Sequence, residues 1–110
     1  MTRVFIFCQN ALFGEGVANV LRQDARFQIV GSETNEVEGI HQIHALQPDV
    51  VIIDGDDPAG DLGPALASIL RQSTQASVIG LNLEFNTMCM YHGERRAILR
   101  VQDLMEAIER

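Results

Sequence analysis

A cluster of carboxylates follows one short apolar run in this chain. Residues 50–61 read VVIIDGDDPAGD, so four consecutive aliphatic residues lead into Asp54 and three more aspartates, at positions 56, 57 and 61, follow within seven positions. Closely spaced carboxylates can hold Mg²⁺, which prefers oxygen ligands, and a single carboxylate can act as a nucleophile toward a phosphoryl group. The same residues also suit a solvated acidic loop, and Asp61 is placed to cap a following helix.

Two other patterns could carry chemistry. Cys8 follows the apolar run 4–7 and precedes a helical stripe, and a thiol at a helix N-terminus can have a lowered pKa and bind an anion. A phosphatase that uses such a cysteine as its nucleophile needs the pattern Cys-x5-Arg, but Gly14 stands at the arginine position. The simpler interpretation is that Cys8 is a small buried residue. His41 and His44 lie three apart on a predicted helix and could chelate a metal, although a solvated helix face is simpler.

The elements that must position these groups follow from the apolar periodicity. Continuous apolar runs are typical of strands buried on both faces, and stripes at helical spacing are typical of amphipathic helices. The predicted strands are 4–7, 29–30, 50–53 and 78–81, and the predicted helices are 11–22, a helix between an Asn35–Glu38 capping box and Pro48, 62–72, and a last helix from about 102. This alternation predicts a parallel sheet with helices on both faces.

Ligands of such sheets bind at the carboxyl ends of the strands. Asp54 falls at that edge, as do Cys8, Gln9, Asn10 and Asn82, each of which follows or ends a predicted strand. We therefore expect these five residues to lie near one another.

Composition bounds the broad class of protein. A chain of 110 residues fits one domain, 1–110. The formal charge of −7 argues against direct nucleic-acid binding, which needs clustered cations. No apolar run is long enough to cross a bilayer and no signal peptide is evident, so we expect a cytoplasmic protein without a membrane partner. Two distant cysteines indicate free thiols, and all eight basic residues are arginines.

The segment QPDVVIID, with Pro58 four residues after Asp54, resembles the third-strand region of response-regulator receiver domains. VFIFCQNALFGEGVANVL resembles their first strand and helix. The resemblance implies a flavodoxin-like three-layer α/β/α sandwich with a mostly parallel sheet in the order 2-1-3-4-5. It also implies an aspartyl phosphoacceptor after the third strand, two acidic Mg²⁺ ligands after the first, a Thr or Ser after the fourth and a Lys after the fifth.

This chain keeps one member of that set. Asp54 matches the phosphoacceptor, whereas Cys8 and Gln9 stand in place of the acidic pair and Asn82 in place of the Thr or Ser. No lysine exists in the chain, and Arg100 is only a distant substitute because guanidinium differs from ammonium in shape and reach. The sequence therefore predicts a degenerate site with no cofactor.

The stretch after the fourth predicted strand also departs from the family. Residues 88–91 and 96–99 flank a His-Gly-Glu turn and are predicted to form a hairpin that replaces the fourth helix, with 96–99 standing in for the fifth strand. In receivers, this side of the domain commonly carries dimerisation and output. The candidate interaction surface comprises Met88, Met90, Tyr91, Arg95, Arg96 and Arg100.

These observations predict an atypical, non-enzymatic receiver that acts through a protein partner or effector domain, as a homodimer and without Mg²⁺-dependent phosphorylation. Two alternatives stay open. One is a phosphorylation-competent single-domain response regulator that uses Asp54, with Asp56 or Asp57 replacing the missing acids. The other is a small phosphocarrier or phosphatase-like enzyme that uses Cys8.

Overall fold

The computed structural model of the protein describes residues 1–54, 76–82, 87–90, 95–97, 104–106 and 108. The predicted helix 62–72 lies outside these residues. The elements are β1 Thr2–Phe7, α1 Ala11–Arg22, β2 Phe27–Glu33, α2 Glu36–Leu46, β3 Val50–Asp54, β4 Ser77–Asn82, β5 Thr87–Met90 and β6 Arg95–Ala97. No helix among the described residues has the length and apolar character that a bilayer crossing requires.

The strands form one sheet in the order β2-β1-β3-β4-β5-β6. The first four strands pair in parallel, whereas β5 pairs antiparallel with β4, and β6 antiparallel with β5. Only residues 83–86 separate β4 from β5, and a parallel crossover needs a dozen residues or more. The chain therefore returns antiparallel as β5, and the antiparallel pair of β5 and β6 is the hairpin predicted in place of a fourth helix.

One detail of that prediction is wrong. The position beside β4 is taken by β5, Thr87–Met90, rather than by the segment 96–99. The second hairpin strand, β6 at Arg95–Ala97, lies one place further out. The reason is again the short link, because the first segment after β4 is the one that can reach its free edge.

Side chains alternate across the sheet and form a core on each face. The core on one face contains Val4 and Ile6 of β1, Cys8 directly after β1, and buried residues of α1. Leu104 and Ile108 of the C-terminal helical segment belong to the same cluster. On the other face, a second cluster includes Phe5 and Phe7 of β1 and Ile43 of α2. Helical residues therefore cover both faces, as a three-layer sandwich requires.

Asparagine caps set where both described helices begin. The Asn10 side chain accepts a hydrogen bond from the Phe13 N–H at 3.1 Å, and the Asn35 side chain accepts one from the Glu38 N–H at 3.0 Å. The expected return bond from the Glu38 carboxylate to Asn35 is replaced, since the Asn35 N–H donates to Glu33 Oε2 at 3.1 Å. Such caps satisfy N–H groups that have no partner inside the helix.

Candidate functional site

Asp54 lies at the carboxyl end of β3 and is held by the loop that follows β1. The Gln9 N–H donates to Asp54 Oδ1 and the Asn10 N–H donates to Asp54 Oδ2, both at 2.9 Å. Because β1 and β3 are adjacent parallel strands, their carboxyl ends meet at one edge of the sheet. Both carboxylate oxygens thus bind the backbone of the β1–α1 loop.

The same loop is the start of α1, so Asp54 also acts on that helix. Asn10 is the N-cap of α1: its backbone N–H binds Asp54 while its side chain binds the Phe13 N–H. The half-buried carboxylate lies near the positive end of the helix dipole, where a negative charge is favourable. The arrangement links β3, the β1–α1 loop and the first turn of α1.

Cys8 is buried beside this carboxylate and does not reach solvent. Its side chain is 1% exposed, and Sγ lies 3.9 Å from the Ile52 carbonyl oxygen. The pKa of the Cys8 thiol is raised to about 12: burial raises it most, the charge of Asp54 also raises it, and a hydrogen bond with the Asp54 backbone lowers it. The thiol is protonated at neutral pH, which argues against a nucleophilic role because the thiolate is the reactive form.

Gly14 lets α1 pack closely on Cys8. A Cβ at Gly14 would lie 3.3 Å from Cys8 Cβ and 3.2 Å from Ile6 Cγ2, so helix and strand meet with little space between them. The glycine that breaks the phosphatase pattern therefore has a packing role in this fold.

The structure brings together only some of the predicted site residues. Gln9 and Asn10 contribute backbone N–H groups, and Asn82 ends β4, where it pairs with Thr87 across the hairpin. Met88 and Met90 lie in β5, and Arg95 and Arg96 lie in β6. The remaining predicted residues are outside the described part of the chain: Asp56, Asp57, Asp61, Tyr91 and Arg100.

The described residues do not fit the magnesium site of the resembling family. Mg²⁺ requires several oxygen ligands in near-octahedral geometry, but Cys8 offers a buried protonated thiol and the Asp54 oxygens already accept backbone N–H bonds. Within the described ranges, no group of three or more His, Cys, Asp or Glu side chains could hold a metal ion. His41 and His44 are both exposed on α2.

Glu33 is a second strand-end carboxylate that the sequence reasoning missed. It accepts hydrogen bonds from the Thr34 N–H at 2.9 Å, the Asn35 N–H at 3.1 Å and Gln42 Nε2 at 2.9 Å. The bonds from Asn35 and Thr34 lower the pKa of Glu33. β2 and β3 therefore end in the same way, with a carboxylate that binds the backbone of a loop leading into a helix.

The chain was compared with protein families and with individual known proteins. No family model matches the chain. A protein-glutamate methylesterase/protein-glutamine glutaminase of Lawsonia intracellularis is 34% identical over 61 residues, which are 56% of this chain and 17% of that protein. The chain therefore spans about a sixth of that curated relative.

Solved receiver domains are similar to the chain over a longer stretch. The signal receiver domain of Mycobacterium tuberculosis NarL has a TM-score of 0.60 and 27% identity, covering 74% of this chain and 65% of that one. The response regulator domain of Thermotoga maritima CheB has a TM-score of 0.72 and 16% identity, covering 99% and 94%, a likeness of fold. The sheet order and these similarities support a CheY-like receiver fold for this chain.

Proposed function

We propose that this receiver is atypical: it acts by protein–protein interaction and is not phosphorylated on Asp54 in the presence of Mg²⁺. The observation that carries the proposal is the pair of 2.9 Å hydrogen bonds from the Gln9 and Asn10 N–H groups to the two Asp54 oxygens. Phosphorylation of either oxygen would remove its negative charge and so weaken the charge-assisted hydrogen bond that it accepts. Asp54 instead serves as a structural link between β3 and the start of α1.

The charge balance supports the same proposal. An attacking carboxylate and a phosphoryl group repel each other, and enzymes offset this repulsion with metal ions or cations placed at the developing charge. This chain contains no lysine, and the Cys8 thiol beside Asp54 is protonated. Neither the usual cation nor the usual first-strand carboxylates are present to lower the barrier.

Incubation with Mg²⁺ and acetyl phosphate, followed by intact mass measurement, tests this proposal. We expect no gain of a phosphoryl group, and no change in the amide NMR signals of Gln9 and Asn10 on addition of Mg²⁺ with beryllofluoride. Asp54→Asn is the control, because it removes the candidate acceptor while keeping the side-chain shape. A phosphoryl group that appears on wild type and is lost in Asp54→Asn would favour the competent response regulator instead.

The Cys8 hypothesis has a separate test. Burial and the raised thiol pKa weigh against a phosphocarrier or phosphatase-like enzyme. Iodoacetamide should therefore leave Cys8 unmodified in the folded protein near pH 8 and alkylate it in urea. Rapid alkylation of Cys8 in the folded chain would contradict this expectation.

We further propose a cytoplasmic role without enzymatic activity of its own. The methylesterase/glutaminase name belongs to a relative of which the chain matches only 17%, so that activity is not carried over. The hairpin surface, β5 with β6, is proposed to mediate homodimerisation or contact with an effector domain, together with Tyr91 and Arg100, which lie outside the described residues. Sedimentation velocity should show a concentration-dependent dimer that Arg96→Glu weakens, and a monomer at all concentrations would contradict the dimer.

A further inference from the structure

Two large aliphatic side chains are exposed at one end of the molecule. Leu12 is 79% exposed and Val37 is 62% exposed. Leu12 lies in the first turn of α1 and Val37 in the first turn of α2. Both turns follow strands of the parallel sheet, so both side chains lie at the end where β1, β2 and β3 finish, here called the carboxyl edge.

Val37 is exposed although it falls at helical spacing with three other apolar residues of α2. The spacing of Val37, Ile40, Ile43 and Leu46 predicts that all four face the core, whereas the structure buries Ile43, half-buries Ile40 and Leu46, and leaves Val37 in solvent. The stripe therefore contacts the core from Ile40 onward and leaves the Val37 side chain exposed.

Unpaired carboxylates surround these aliphatic groups. Glu15 is one turn after Leu12 on the same side of α1, and Glu36 and Glu38 flank Val37. All three are exposed, and their carboxylates make no hydrogen bond or ion pair within the described part of the chain. Asp54 and Glu33 add charge at the same edge, although their oxygens bind backbone N–H groups.

Three arginines whose side chains are described lie at the opposite end, here called the amino edge, whereas Arg95 and Arg96 lie in β6 and their backbone pairs with Cys89 and Met88 of β5. Arg3 is near the start of β1, Arg22 is in the last turn of α1 and Arg26 precedes β2. The acids of that edge are engaged: Asp24 pairs with Arg26 at 2.8 Å, and Asp49 Oδ2 accepts the Arg3 N–H at 2.8 Å. Among the residues with described side chains, exposed glutamates without a cation partner are therefore found at the carboxyl edge, whereas Asp24 and Asp49 of the amino edge have partners.

From this placement, we propose that the carboxyl edge binds a basic, amphipathic segment of a partner protein through Leu12, Val37 and their neighbouring glutamates. The segment would lie across the ends of β1 and β2, place aliphatic side chains on Leu12 and Val37, and place arginine or lysine near Glu15, Glu36 and Glu38. This inference rests on the proposed role in protein–protein interaction and adds a surface separate from the hairpin.

The geometry sets the length of such a segment. Helices α1 and α2 lie on opposite faces of the sheet, and packed layers are about 10 Å apart, so the two contact points are roughly 20 Å apart. A helix of about 16 residues spans about 24 Å at a rise of 1.5 Å per residue. Charge complementarity favours a protein segment over nucleic acid, because phosphates would be repelled by the carboxylates.

Titration with a synthetic helical peptide of leucine and arginine, about 16 residues long, tests the proposal. We expect shifts of the amide NMR signals of residues 9–15 and 33–38 but not of residues 22–26. Binding should weaken as salt rises from about 50 to about 200 mM, because the exposed charges are screened. Peptides with glutamate in place of arginine, or with scrambled order, should bind more weakly.

Matched variants make the result specific. Leu12→Ser with Val37→Ser should weaken binding by about tenfold, since part of the burial of two aliphatic side chains is lost, and Glu36→Gln with Glu38→Gln should reduce the salt dependence. The control variants Ala45→Ser and Glu106→Gln lie at exposed positions away from this edge. They should change neither the affinity for the peptide nor its salt dependence.

Several outcomes would overturn the proposal: no binding, shifts centred on other surfaces, or equal affinity of the Leu12→Ser/Val37→Ser variant. A wild-type protein that self-associates through these two residues without peptide would make a second copy the occupant and would also overturn it. Phosphorylation of Asp54 by acetyl phosphate would overturn the proposed function but leave the peptide result unaffected, so the two failures are distinguishable.

Discussion

Replacement of Asp54 measures whether its carboxylate holds the fold together. Its two oxygens accept the Gln9 and Asn10 N–H groups at 2.9 Å, and hydrogen bonds to a charged group contribute about 1.5–3 kcal/mol each. Because Asp54 is half-buried, water would recover part of this after substitution, leaving about 1 kcal/mol per bond. The helix dipole adds about 0.5 kcal/mol.

Asp54→Ala should therefore lower the free energy of unfolding by about 2.5 kcal/mol, and Asp54→Asn, which keeps one acceptor oxygen, by about 1.5 kcal/mol. In urea, where small domains have m values of about 1–3 kcal/mol/M, the midpoint for Asp54→Ala should fall by roughly 1–2 M. Glu38→Gln is the control, because this exposed carboxylate makes no such bond; its effect should stay within about 0.5 kcal/mol.

The sign of the effect decides between two roles for this aspartate. In a pocket of several crowded carboxylates, the groups repel one another, so neutralising one of them stabilises the fold. In the arrangement observed here, neutralising Asp54 removes favourable contacts. An Asp54→Ala or Asp54→Asn protein as stable as wild type, or more stable, would refute the structural role and with it the main support for an unphosphorylated receiver.

Four further predictions concern packing and pH. Gly16→Ala should stabilise the protein by about 0.5–1 kcal/mol, because a Cβ there has no neighbour within 4 Å and alanine favours helix; Gly39→Ala should destabilise it by about 1–2 kcal/mol in the same urea assay, because its Cβ would lie 2.5 Å from Phe7 Cε1. The pKa of Cys8 is raised from 9.0 to about 12, so its contribution to stability is present below pH 9 and is lost as pH rises toward 12; Cys8→Ala should flatten this alkaline limb of the stability profile. The pKa of Glu33 is lowered, so its contribution is present above the unfolded pKa of about 4.3 and is lost as pH falls through the folded pKa; Glu33→Gln should reduce the acid-side slope, and an unchanged slope would count against that contribution.

The sequence predicted the central strands and both described helices well because their signals are local. Continuous apolar runs mark β1 and β3, which are buried between two layers, and the bounds of α1 agree with its apolar stripe. The edge strand β2 is longer than the two residues predicted, Phe27–Glu33, since a strand paired on one side tolerates polar residues. The length of β2 is set by its pairing with β1, and the apolar periodicity of the sequence does not indicate that pairing.

The candidate site was less predictable because the hydrogen-bond partners of the Asp54 carboxylate are backbone groups. The edge at which Asp54 lies follows from topology, but the N–H groups of Gln9 and Asn10 have no signature in the side-chain sequence. The same holds for Asp49, which belongs to the quoted QPD segment and binds the Arg3 N–H. The side-chain types predict that parts of a magnesium site are missing, whereas the backbone contacts of Asp54 depend on how the β1–α1 loop folds against β3.

The antiparallel hairpin divides the sheet into two folding regimes. The parallel pairs join distant residues, such as Val4 with Val50 and Val50 with Ser77, and closing long loops is slow. The pairs of β5 join residues only a few positions apart, such as Asn82 with Thr87, and isolated hairpins form in about 1–10 μs. Strand β4 takes part in both kinds of pairing. If β4 pairs with β5 first, the antiparallel strands can act as a template for the parallel core; if β4 pairs with β3 first, the antiparallel strands dock last.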